Sequence, residues 1–128
     1  MPALVLDSEG LAKWSRGDFD VRAWLATAQE RGWPVVVPPT ALAEVLRGGP
    51  GDAAIHRLLP AVWQTFIGPV LARHAGRLLA RSGLRGATAD AFVVAEALRH
   101  GVALILTADA GDFEALASGD PRVEIVPV

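Results

Sequence analysis

An α/β fold is what this sequence predicts: a parallel sheet of about five strands covered by helices in three layers. Three observations predict it. Short apolar runs alternate with longer segments of helical period, the order in which a chain winds helices over a parallel sheet. The runs ALVL, VVV and VALIL are continuous and not alternating in polarity, which suits strands buried on both faces. Finally, 52% of the 128 residues are hydrophobic and the mean hydropathy is +0.34, so most elements must be covered on more than one side.

Taken in order, strands are expected over residues 3–6, 35–37, 62–67, 102–106 and 123–126, and helices over 8–16, 21–31, 40–47, 52–59, 69–81, 88–100 and 111–118. Thr40 is placed to cap a helix after the Pro38-Pro39 stop. Pro69 suits a first helical turn, and Gly101 suits the position just past a helix end. Gly48-Gly49-Pro50-Gly51 is a loop and not a linker, so residues 1–128 make one domain. The third strand has a rival reading, because WQTF can also continue a helix interrupted at Pro60.

Composition excludes several chemistries. The chain has no cysteine, which removes disulfides, zinc thiolates and thiol nucleophiles. Its three histidines, His56, His74 and His100, lack the close pairing of zinc sites. No apolar run approaches the ~20 residues that cross a bilayer, and the start lacks the features of a signal peptide, so a cytoplasmic protein without membrane contact is expected. The net charge of −2 conceals a partition: residues 53–89 carry five arginines and no acid, while acids dominate on either side.

The acids carry the functional signal. In an open parallel sheet the C-terminal ends of the strands share one edge, where ligands bind. Asp7 directly follows the first strand in LVLDS, and Asp109 follows VALIL in LTAD. Glu44 and Asp90 approach the same edge from helices. Each has a plain structural alternative: Asp7, Asp109 and Asp112 as helix caps, Asp90 as a charge favourable to a helix N-terminus. Glu44 and Asp90 resist that reading, since both sit among apolar neighbours expected to be buried. Carboxylates gathered at the edge of a core repel one another and lose hydration unless a cation neutralises them. Oxygen ligands alone suit Mg²⁺ or Mn²⁺. Such an ion, bound by carboxylates, can orient water and stabilise charge during displacement at a phosphodiester.

Arg73, Arg77 and Arg81 recur at i, i+4 and i+8 along one predicted helix, and Arg85 extends the stripe. Either the stripe is a solvated face, or a phosphate backbone supplies the missing counter-charge.

The stretches LVLDS, PTALAEVLRG, ATADAFVVAEALRHG and LILTADAGDF together resemble a PIN-domain ribonuclease, of the compact kind found as VapC-type toxins of bacterial toxin-antitoxin pairs. They occur in family order and span almost the whole chain. The resemblance implies a three-layer PIN-like fold and an endoribonuclease dependent on Mg²⁺ or Mn²⁺. It makes Asp7, Glu44, Asp90 and Asp109 the metal ligands or water-orienting groups, with Ser8 and Thr107 as supporting hydroxyls. Asp112 either joins through water or caps its helix. It further implies an RNA substrate, a homodimer and a cognate antitoxin protein; Trp14 and Trp24 are anchors for one of those contacts or members of the core, and Trp33 and Trp63 are expected beside strands. Two other readings are an inactive PIN-like RNA-binding module and a haloacid-dehalogenase-like phosphatase. The phosphatase requires a second acid at residue 9, which is Glu9 and not Asp, and a late lysine, whereas Lys13 is the only lysine.

Overall fold

In the computed structural model, which describes residues 2–63 and 65–128, four parallel strands form one sheet in the order β2-β1-β3-β4. β1 (Ala3–Leu6) and β3 (Ala103–Thr107) lie in the centre, and β2 (Val35–Val36) and β4 (Val123–Pro127) form the edges. Every residue of β1 and β3 is buried, as their unbroken apolar runs require. Leu6 stands opposite Leu106, so the two central strands end level. From β1 the chain crosses to β2 on one side; from β3 it crosses to β4 on the other. The β1/β3 boundary is therefore the switch point, where diverging connections leave a crevice at the strand C-termini.

Seven α-helices among the described residues cover the sheet: α1 (Ser8–Ser15), α2 (Phe19–Arg31), α3 (Pro39–Val45), α4 (Ala53–Leu58), α5 (Pro69–Ser82), α6 (Thr88–Arg99) and α7 (Ala110–Ala117). α1 rests on β1 and β3 and carries α2, α3 and α4, whereas α6 lies along β1, β3 and β4 beneath α5 and α7. Leu4, Leu6, Leu11, Ile105, Leu106 and Phe113 fill the centre. Lys13 ties the layers together, its Nζ donating to the Val128 carbonyl across 2.6 Å.

Three expectations need correction. Among the described residues the sheet has four strands and not about five: of 62, 63 and 65–67, only Trp63 bridges Val36, its N–H donating to the Val35 carbonyl at 2.8 Å. Gln64 lies outside the described residues. Pro34 and Pro38 bracket β2, and a two-residue strand offers little ladder for a neighbour to extend. Second, α3 begins at Pro39 with Pro38 in the cap position, not Thr40, because a proline there forfeits no helical hydrogen bond. Third, α3 stops at Val45 because the Asp52 carboxylate captures the N–H groups of Arg47 and Gly48, at 3.0 and 2.7 Å, and turns the chain away. A 3₁₀ turn at Pro50–Asp52 follows, so α4 starts at Ala53.

Candidate functional site

Asp7 stands at the switch point, 3% exposed, where β1 gives way to α1. Both oxygens of its carboxylate are held. Oδ1 accepts the Gly10 N–H at 2.7 Å, so the capping role is real. Oδ2 accepts the hydroxyl of the fully buried Thr107 at 2.7 Å. That hydroxyl in turn accepts the Asp109 N–H at 3.0 Å, which leaves its own proton directed at Asp7. The carboxylate is thus clamped between the first turn of α1 and the last residue of β3. Lone pairs remain on both oxygens for a further partner. Burial raises the Asp7 carboxyl above its usual range and the two hydrogen bonds oppose it, while Glu9 and Glu44 push it up again. Ser8 opens α1, partly buried; the hydroxyl that grips Asp7 belongs to Thr107.

Asp90 enters from the first turn of α6, partly buried. Its carboxyl is pushed up to about 6, first by burial and then by Asp7, Glu44, Asp112 and Asp109. These acids come from other segments of the chain, and all act on one group. The charges that reach Asp90 thus come from the end of β1, from α3 and from the start of α7.

The individual placements differ from expectation in part. Glu44 is exposed: α3 buries Ala41 instead, and the apolar residues around Glu44 do not carry it inward. Asp109 occupies the cap position of α7 but makes no side-chain cap bond, which leaves its exposed carboxylate unspent. Asp112 lies partly buried in the first turn of α7. Among the described residues, no group of three or more acid or histidine side chains is close enough to hold an ion as it stands. The acids gather around Asp90 without forming a closed cage. Their chemistry fits a hard cation that keeps several waters: every candidate donor is a carboxylate oxygen, and the charges acting on Asp90 are acidic. Gly10, which supplies one of the two donors to Asp7, is a residue that the spacing of the acids does not single out. A glycine inside a short helix, three residues after an acid, is the signal the sequence offers for it.

The arginines divide. Arg73, Arg77, Arg81 and Arg85 all belong to α5 or the turn just after it, and all four are exposed. Arg81 is partly committed, donating to the Leu116 carbonyl at the end of α7 (3.2 Å). Asp120, held down to about 2 chiefly by its bonds with Arg122, also feels Arg81. Asp120 is spent on Arg122, so the direct partner of Arg81 is the neutral Leu116 carbonyl.

The tryptophans divide as well. Trp14 and Trp33 are half-buried against the core and, with Leu25, Pro34 and Trp63, line a groove of about 440 Å³ rimmed by Arg22. Trp63 lies beside β2 as expected but is 60% exposed. Trp24 packs against the core away from that groove. No helix among the described residues is long and apolar enough to cross a membrane.

No protein-family model matches the chain, and no curated protein does. Solved structures do. A chain of VapBC2 from Rickettsia felis, crystallised bound to a DNA fragment from its promoter, superposes with a TM-score of 0.77 over 98% of each chain at 12% identity. A chain of FitAcB from Neisseria gonorrhoeae gives 0.66 over 95% of each chain at 23% identity. At such identities the likeness shows the fold, a PIN-like parallel sheet flanked by helices.

Proposed function

We propose that this protein is a Mg²⁺- or Mn²⁺-dependent endoribonuclease and the toxin of a toxin-antitoxin pair. The observation that carries the reading is the convergence of Asp7, Glu44, Asp109 and Asp112 on Asp90 at the sheet's switch point. Carboxylates so arranged raise one another's proton affinity, a cost that a bound cation reverses. The likeness in fold to VapBC2 and FitAcB supports the same reading, because the sequence motifs themselves resemble those of VapC-type toxins.

In the reaction, Asp7 and Asp90 would hold the metal, with Asp109 and Glu44 reaching it directly or through water. When bound, the metal lowers the pKa of water and neutralises charge building on the phosphodiester. The chain's own part is orientation. Thr107 and Gly10 fix the Asp7 carboxylate in one rotamer. Asp90, whose proton affinity burial and the surrounding carboxylates raise, would give up its proton to hold the metal. Glu44 or Asp109, exposed at the rim, would take up the proton that water releases. Arg73, Arg77 and Arg85 supply phosphate contacts for an RNA backbone.

The partners are proposals of the same standing. An apolar antitoxin segment would fill the groove of Trp14, Trp33 and Trp63, since buried aromatic residues dominate such contacts. The toxin itself would act as a homodimer.

The deciding experiment incubates the native protein and Asp7→Asn with structured RNAs, with Mn²⁺ or with EDTA. Cleavage is expected only from the native protein with metal. Equal cleavage by both proteins would discard the site. RNA binding by both without cleavage by either would point to an inactive binding module.

A further inference from the structure

The geometry points to Gly10 as a positioning residue: the absence of a side chain there lets α1 approach β3 closely enough for one carboxylate, Asp7, to be held from both sides. The inference concerns the site of the proposed nuclease and rests on that reading only for its metal consequence.

Gly10 is buried in α1 and is not among the residues with positive φ, so torsional freedom does not explain it. Space does. A Cβ built on Gly10 would stand 2.8 Å from the Leu106 carbonyl oxygen, 3.3 Å from Asp7 Oδ1 and 3.4 Å from Leu6 Cβ. The first distance is impossible for a carbon against a backbone oxygen. Leu106 is a central-strand residue in register with Leu6, and its carbonyl also receives the Asp7 N–H at 3.5 Å. It cannot withdraw without disturbing the sheet. The first turn of α1 would have to lift.

That movement matters because of what lies on either side of the contact. Gly10 N–H belongs to α1 and holds Oδ1; Thr107 follows Leu106 in β3 and holds Oδ2. Both bonds are 2.7 Å, short enough that a shift of a few tenths of an ångström between α1 and β3 lengthens one or the other. An added methyl therefore separates the two halves of the clamp, although neither donor has been removed. By contrast Gly76, in α5, has open space where a Cβ would stand, with nothing within 4 Å, and serves as the control for the effect of a methyl on a helix alone.

The test compares native protein, Gly10→Ala, Gly76→Ala, Thr107→Val and the Gly10→Ala/Thr107→Val double variant. Amide hydrogen exchange by NMR in EDTA is the first readout. Gly10→Ala should speed exchange about tenfold at residues 10 and 109, since the Asp109 N–H reports the Thr107 hydroxyl, and Gly76→Ala should leave both unchanged. Exchange at residue 109 unchanged in Gly10→Ala would overturn the proposal. Should Gly10→Ala fail to fold, Thr107→Val decides: faster exchange of the Gly10 amide, on a different element, supports the clamp, and an unchanged rate refutes it.

Mn²⁺ titration is the second readout. The single variants should each lose about tenfold in affinity and the double variant scarcely more than either, because both release the same carboxylate. Fully additive losses would reduce Gly10 to a packing residue. A native protein that binds no Mn²⁺ would remove the metal reading, while the exchange data would still decide the role of Gly10.

Discussion

Asp90→Asn should stabilise the metal-free protein at neutral pH, against the general expectation that altering a half-buried residue of a core helix destabilises. Asp90 carries a carboxyl raised from 3.8 to about 6, by burial first and neighbouring carboxylates second. A shift of that size corresponds to roughly 3 kcal/mol of preference for the neutral form. Asp90 is partly open to solvent, so screening reduces this to on the order of 1–2 kcal/mol. The folded state holds the proton more tightly than the unfolded chain. Its contribution to stability is therefore fully present below about pH 4 and is lost as the pH rises through about 6. At pH 7.5 the native carboxylate is ionised and repelled; the amide of Asp90→Asn carries no charge. The variant should melt higher than native by roughly 3–6 °C in EDTA at pH 7.5. Between pH 5.0 and 7.5 the native protein should lose stability through this group while the variant does not. Differential scanning fluorimetry at the two pH values reads both differences. Millimolar Mn²⁺ should then reverse the order, raising the native melting temperature and leaving the variant where it was. A variant that melts at or below native at pH 7.5 in EDTA would refute the reasoning, since the acids would then impose no burden on Asp90.

The arginines should separate by role. Arg81→Gln should lower stability by about 0.5–1 kcal/mol in urea titration through the lost bond to Leu116. The triple Arg73/Arg77/Arg85→Gln should leave stability unchanged and flatten the salt dependence of RNA binding by filter assay. Gly76→Ala should raise stability by about 0.5–1 kcal/mol in the same urea titration, because the helix gains propensity and the methyl meets open space. Glu96, fully buried in α6, accepts from Arg99 and is bonded to His100. Glu96→Ala should cost about 2 kcal/mol through the buried space it empties and the two bonds it removes, whereas Glu96→Gln should cost about half as much, as judged by the same titration.

The residues legible in the sequence are those whose environment is set by their own neighbours. β1 and β3 are readable because four or five apolar residues in a row leave a strand no exposed face, and their ends carry Asp7 and Asp109 to one rim whatever the details between. Edge features are not. Whether 62–67 forms a strand depends on the length of β2, which two flanking prolines decide, and the local apolar run says nothing of that. Glu44 misleads for a related reason. Apolar neighbours imply burial only if the helix is covered all round, and α3, seven residues long, buries Ala41 alone. Likewise the arginine stripe looks unpartnered in sequence because Asp120 and the Leu116 carbonyl arrive from another segment.

The resulting site has a division of labour that spacing alone does not reveal. Asp7 is locked by two donors and nearly sealed from solvent, while Asp109 and Glu44 are exposed and spend no side-chain bond on capping. Asp90 lies between, partly buried and under the field of all of them. In the proposed nuclease a rigid inner ligand would fix where a cation sits, and looser outer carboxylates would adapt to its waters and to a substrate phosphate. Metal binding should therefore order Glu44 and Asp109 while leaving Asp7 where the fold has already set it.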